Sequence, residues 1–261
     1  MPETHLYVMN QGEASVSVLD VTTGALVRKI DLTTKGFSAN ASPHFARFNE
    51  DATAWYLTLI GDGKVVRFDA ADRVTGTAST PTPGMLSEGP AGELVVSRSL
   101  SATNPPAALA FVDPATMTVK EERAVGHPHP HGLAYADRQV YTASVRDNVV
   151  VRFDRNGTAR EMPVPGPSQG LAHLAISQDH RRLAVSADLT GQVHLFTIGA
   201  DGTFVYDGAV AVGSRPWHLH FGIDSRTLYV PLYGEDALAI VDADTRTVTG
   251  RLTGNGFAHG G

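Results

Sequence analysis

The sequence predicts an all-β fold, a six-bladed β-propeller of four-stranded blades. Three observations lead to this class: a β-rich unit that recurs six times, the lack of any helical period, and chain ends that each hold part of one unit. The unit repeats every 39–49 residues, counted between its strand-ending aspartates, close to the length of a propeller blade. Residues 1–261 are therefore predicted to form a single propeller domain. A seven-bladed propeller that lacks one blade is the alternative.

Two strands identify each unit. Five units have a strand that ends in aspartate, and the fifth unit has Thr197 at the matching place; the aspartates are Asp20, Asp69, Asp113, Asp154 and Asp242. An apolar run precedes each of these strands, at Leu6–Asn10, Trp55–Ile60, Leu94–Ser97, Val140–Ala143, Leu183–Ser186 and Leu228–Leu232. Apolar and polar residues alternate in these runs, and Val, Thr and Tyr are frequent, which favours strands over helices.

The two ends of the chain predict how the fold closes. The sequence opens on a second strand, and it finishes on GNGFAHGG, which has the pattern of a first strand without a partner after it. We expect Gly256–Gly261 to pair with the strand at Leu6–Asn10 and complete one blade. Such closure leaves no sheet edge open between the termini.

Five of the six units place a histidine at one point, and the remaining unit has Met85 there. The histidines are His44, His131, His173, His218 and His259, and the successive spacings, Met85 included, are 41, 46, 42, 45 and 41 residues. Because the first strand of every propeller blade lines the central channel, we expect these side chains to face one shared space. Imidazole binds copper, zinc, iron and nickel, and the thioether of Met85 favours copper. The sequence predicts a metal site in this channel, with copper preferred over zinc or iron.

Several other residues are candidates near this channel. His220 follows His218 by two residues and shares its strand face, and His129 precedes His131 in the same way, so both are predicted as further metal ligands. An anionic ligand or a catalytic base would draw on residues near the strand ends: Arg47, Arg98, Arg146, Arg215 and Glu88. The alternative is that duplication copied a histidine that only hydrogen-bonds to a neighbouring blade. His5, His180 and His194 fall outside the repeat position and are predicted to be structural.

Composition limits the partners. The net charge is −6 with scattered charges, which excludes a basic nucleic-acid surface, and no apolar run approaches the length of a membrane span. The chain has no cysteine, so thiolate chemistry is excluded while the compartment stays open between cytoplasm and export. We expect a monomer that binds a metal ion and a small anionic ligand.

Two segments carry a family resemblance, LYVMNQGEASVSVLDVTTGALVRKIDL and LYVPLYGEDALAIVDADTRTVTGRL. They resemble the YVTN repeat of YncE-like and cytochrome d1-like propellers, and TGQVHLFTIGADGTF is similar to lactonase-like propellers. The histidines are closer in kind to the copper-binding propeller of nitrous oxide reductase, whose dinuclear copper centre is excluded here by the lack of cysteine. The resemblance implies the fold across essentially the whole chain.

Three functions are consistent with this sequence. A metal-binding propeller, with copper favoured and oxidoreductase activity as one form of it, accounts for the repeated histidines. A non-catalytic scaffold that binds a protein or a small ligand is the alternative, and a lactonase-like hydrolase is the third. Sequence patterns for phosphate-binding loops, serine nucleophile elbows and zinc protease helices are absent.

Overall fold

The computed structural model describes residues 5–98, 107–154, 156–199 and 203–253. These residues form 23 β-strands and one turn of 3-10 helix at Thr33–Lys35, with no α-helix among them. The strands follow one another in six antiparallel sheets, and each sheet is built from consecutive strands. The prediction of an all-β fold with six repeated units is confirmed.

The first three sheets contain eleven strands. Their bounds are β1 (His5–Asn10), β2 (Ser15–Asp20), β3 (Leu26–Asp31), β4 (Pro43–Phe48), β5 (Ala54–Leu59), β6 (Lys64–Asp69), β7 (Val74–Ser79), β8 (Pro83–Glu88), β9 (Leu94–Arg98), β10 (Ala108–Asp113) and β11 (Thr118–Ala124). The sheet of β1, β2 and β3 has three described strands, and the other two sheets have four. The predicted closing strand at Gly256–Gly261 lies outside the described residues.

The last three sheets have four strands each. Their bounds are β12 (Pro130–Ala136), β13 (Gln139–Ser144), β14 (Val149–Phe153), β15 (Ala159–Pro163), β16 (Leu171–Ile176), β17 (Arg182–Ala187), β18 (Gln192–Ile198), β19 (Phe204–Ala211), β20 (His220–Phe221), β21 (Thr227–Leu232), β22 (Ala237–Asp242) and β23 (Thr247–Thr253). All six predicted apolar runs are strands, with ends that differ from the prediction by one residue at most.

The described residues group into two compact units. The first contains residues 5–87 and the described part of 92–123, and the second contains residues 88–91 and the described part of 124–253. Each unit has its own buried apolar clusters, centred on Trp55 and Val96 in the first and on Leu174 and Val230 in the second. The single domain at 1–261 stays a prediction.

The repeated aspartate has a structural role in the turn that follows its strand. Its Oδ1 accepts backbone N–H groups two to four residues further on, as from Thr22 and Thr23 to Asp20 and from Asp244 and Thr245 to Asp242. The same bonds occur at Asp69, Asp113 and Asp154. These hydrogen bonds favour the ionised carboxylate and lower the pKa of Asp20, Asp69, Asp113 and Asp154. The repeat therefore encodes turns as well as strands.

Candidate functional site

In four of the six sheets, the first strand carries a one-residue bulge where the histidines lie. In β12, Pro130 pairs with Ser144 and Leu133 pairs with Thr142, so His131 and Gly132 together oppose Ala143. The same irregularity follows Pro43 in β4 and Leu171 in β16. In the sixth sheet, the bridge from Pro216 to Leu232 precedes the pairing of His220 with Tyr229, which leaves the same excess of one residue. Bulges re-aim side chains and are frequent next to functional sites.

This register corrects the sequence alignment of the histidines, which do not all occupy one strand position. His44 and His131 are the first residues of their bulges, whereas His173 and His218 are the second residues of theirs. The prediction of a single repeated position is wrong by one residue, because the four described histidines divide into two at each position. The physical reason is that a bulge opposes two residues to one on the partner strand, so spacing alone does not separate the two positions.

His131 is the most constrained of these side chains. It is buried, and its Nδ1 lies 2.6 Å from the carbonyl oxygen of Ala172 on the adjacent strand β16. Because a carbonyl can only accept, Nδ1 carries the proton and the lone pair of the ring is on Nε2. Burial lowers the pKa of His131 to about 4, an effect that the bond to Ala172 opposes and the charge of nearby His129 adds to. His131 is therefore neutral at pH 7.

His218 lies beside His131 in the second unit. The two rings are nearly parallel, with 8° between their planes and 6.2 Å between their centroids. One ring nitrogen of each is within 4.8 Å of the other, and both Nε2 atoms are buried. Nitrogens bound to one metal at about 2.0–2.1 Å are roughly 3–4 Å apart, so a small movement of either ring would let both bind one ion.

His173 and His220 extend the cluster on the other side of His218. The ring of His173 meets that of His218 edge-on at 5.1 Å and lies 5.9 Å from the ring of His220. The backbone N–H of Leu219 donates to Nδ1 of His173 over 3.4 Å, so His173 has the opposite tautomer to His131. The residue His220 as a whole is exposed to solvent. Its imidazole is nevertheless partly desolvated by the protein around it, which lowers the pKa of His220. Four histidines of the second unit are therefore neighbours.

Trp217 is the residue of this cluster that the sequence analysis did not propose. It occupies the same bulge position as His131, and its indole meets His131 at 5.2 Å and His218 at 5.9 Å, both edge-on. Its Nε1–H donates to Asp188 Oδ1 over 2.9 Å. The signal that could have found it is the preceding proline, because Pro216 precedes Trp217 as Pro130 precedes His131.

The remaining predicted ligands are described in part. His44 is half-buried in the bulge of β4, with a buried Nε2, and Met85 is buried in β8 of the first unit, where its N–H donates to Ser97. His129 precedes β12 with a positive φ of 52°. His259 lies outside the described residues.

Comparisons with known proteins bear on the fold. No protein-family model matches the chain, and no curated protein matches its sequence. Among solved structures, virginiamycin B lyase from Staphylococcus aureus has a TM-score of 0.77 at 13% identity, over 97% of this chain and 82% of that one. A functionally unknown protein from Desulfotomaculum acetoxidans has a TM-score of 0.78 at 13% identity, over 98% and 83%. Hydrazine synthase from Kuenenia stuttgartiensis has a TM-score of 0.74 at 15% identity, over 92% and 80%.

The fold is a six-bladed β-propeller. At these identities the likeness shows the fold alone, and no activity of these proteins is transferred to this propeller. The finer resemblance to YncE-like proteins stays a prediction. Among the described residues, no helix has the length and apolarity to cross a membrane.

Two of the histidines outside the repeat position, His180 and His194, have structural partners. His194 is buried, with Nδ1 3.0 Å from Tyr206 Oη and Nε2 3.2 Å from Gln169 Oε1, and burial lowers its pKa to about 4. His180 pairs with Asp137 at 2.9 Å on the surface. His5 is exposed at the start of β1. Both His180 and His194 thus have the structural contacts that were predicted for them.

The predicted arginines differ in their surroundings. Arg98 pairs with Glu122 at 2.6 Å in the first unit, and Glu88 ends β8. Arg47 lies within β4, and Arg146 lies in the turn after β13, where its N–H donates to Ser144. Arg215 is held beside the histidine cluster of the second unit, through Asp188, which also accepts from Trp217.

Proposed function

We propose that this propeller binds a transition metal ion through His131 and His218. The supporting observation is that a nitrogen of each ring lies within 4.8 Å of one on the other. The carbonyl of Ala172 supports the proposal further, because it orients His131 with the lone pair on Nε2. Backbone carbonyls play this part for many histidines that bind metals.

In this proposal the remaining ligands come from the other residues predicted for the channel. As the repeat spacing predicts, His44 is a candidate for a third nitrogen ligand. The candidates for a fourth ligand are Met85, His129, His173, His220 and His259. Of these, His173 is the least suited in its described state, because its Nδ1 accepts from Leu219.

Copper is the metal that we propose. A site of neutral imidazoles binds copper more tightly than zinc or nickel in the Irving–Williams order, and a thioether from Met85 would favour Cu(I) further. Carboxylates, which calcium and magnesium prefer, do not occur among the proposed ligands. A bound copper ion could exchange electrons, so oxidoreductase activity is the chemistry that would follow, with no catalytic residue assigned.

Calorimetric titration tests this proposal. Protein purified without a histidine tag and washed with chelator should bind one copper ion per chain at about pH 7.5, more tightly than zinc or nickel. The expected dissociation constant is well below about 100 μM. That limit corresponds to a binding free energy of about −5.5 kcal/mol. If none of the three metals binds more tightly than this limit, the proposal is wrong and the histidines are structural. The scaffold alternative would then account for the propeller.

A further inference from the structure

A cleft of about 550 Å³ opens in the second unit beside Trp217. The polar side chains that line this cleft belong to Asp188, Thr190, Ser214 and Arg215. Asp188 joins it to the histidine cluster, because the same Oδ1 accepts from Arg215 in the cleft and from Trp217 against the rings. This cleft is separate from the proposed metal ligands.

Arg215 is held in a defined position in this cleft. Its backbone has a φ of 55°, a left-handed value that is uncommon for residues other than glycine and that is frequent at functional sites. Its Nε donates to Asp188 over 3.0 Å, and its guanidinium carbon lies 4.5 Å from the centre of the Tyr233 ring. The side chain is still 47% exposed. The guanidinium is therefore oriented from two sides while part of it faces solvent.

The charged residues next to the cleft already have partners. Glu235 accepts from the backbone N–H of Ser214 and from Arg251, and Arg251 also donates to the carbonyl of Val212. Asp188 accepts two donors on Oδ1. Among the described residues, Arg215 donates to Asp188 through Nε. Its two terminal guanidinium nitrogens are therefore the donors that a ligand could use.

We propose that this cleft binds the carboxylate of a small ligand through the terminal nitrogens of Arg215. A guanidinium presents two parallel N–H groups that match the two oxygens of a carboxylate, and an orientation fixed in advance lowers the entropic cost of binding. The inference goes beyond the metal site and does not depend on it.

The indole of Trp217 provides the measurement. The chain has two tryptophans, and the Trp217 N–H donates to Asp188, whereas the Trp55 N–H donates to Asp72. Metal-free protein labelled with ¹⁵N should show two indole signals, which the Trp217→Phe variant assigns. Acetate, added at constant ionic strength, should shift the Trp217 signal saturably with a dissociation constant of about 1–10 mM, as expected for four heavy atoms. Acetamide, the neutral counterpart of acetate, should not shift the Trp217 signal.

Two arginine variants decide the outcome. Arg215→Gln should weaken acetate binding by about tenfold or more, as loss of a charge-assisted pair predicts. Arg226→Gln, which removes an exposed arginine paired with Asp242, should leave it unchanged. Equal shifts in the Arg215→Gln variant and the native protein, or equal shifts with acetamide and acetate, would overturn the inference. Neither outcome would bear on metal binding, since no metal is present.

Discussion

Replacing Gly132 by alanine should lower the free energy of unfolding by about 1–3 kcal/mol, the usual cost of overpacking. A Cβ at this position would lie 2.8 Å from the Cα of His173 and from the backbone nitrogen of Leu174. Both atoms are backbone atoms of β16, so relief requires that strands β12 and β16 move apart. The same movement would displace His131 from the carbonyl of Ala172, and metal affinity should fall along with stability. Denaturant unfolding monitored by circular dichroism measures the first effect.

Gly12 provides the matched control for this substitution. Apart from its chain neighbours, no atom of the described residues lies within 4 Å of a Cβ built at Gly12, and its φ is not in the left-handed region. Gly12→Ala should therefore change the free energy of unfolding by less than about 0.5 kcal/mol. A Gly132→Ala variant as stable as Gly12→Ala would show that the two strands of the second unit are not packed as described.

Replacing His131 and His218 together by glutamine should weaken copper binding by on the order of 100-fold or more. Loss of an outer-shell partner alone costs roughly 10–100-fold in metal affinity, and this variant removes two direct ligands. Glutamine approximates the size of histidine, which limits the cavity left behind. Calorimetric titration of the variant against the native protein gives the ratio of affinities, and a thermal melt verifies that the fold is retained.

His180→Gln is the control for the histidine pair. His180 lies on the surface and pairs with Asp137, so its removal should leave copper affinity within twofold of the native value. Because Leu219 donates to Nδ1 of His173, the single variant His173→Gln should lose less affinity than His131→Gln. If the control loses as much copper affinity as the double variant, binding at the histidine pair is excluded.

The strands and turns could be predicted from the sequence because their signals are local. Alternating apolar residues located β5, β13 and β21 to within one residue, and the strand-ending aspartates marked turns that their own carboxylates stabilise. Six repeats of this pattern were sufficient to predict a β-propeller. The closing strand and His259 were predicted from the same repeat and lie outside the described residues.

The candidate site could be predicted only in part because it is built from bulges. A bulge adds one residue to a strand without any length signal of its own, so His173 and His131 aligned although they occupy different positions. The same bulge hides Trp217, because the repeat spacing aligns His218 with the position that Trp217 occupies. The tautomers of His131 and His173 depend on Ala172 and Leu219, backbone groups that no side-chain pattern encodes.

The most direct test of the central claim is the position at which copper binds. Cu(II) is paramagnetic and broadens the NMR signals of nearby protons, and Trp217 contacts both His131 and His218. Up to one equivalent of Cu(II) added to tag-free, ¹⁵N-labelled protein should remove the Trp217 indole signal. In the His131→Gln, His218→Gln double variant the Trp217 signal should persist. A Trp217 signal that survives stoichiometric copper in the native protein, or that disappears equally in the double variant, would contradict a metal site at these histidines.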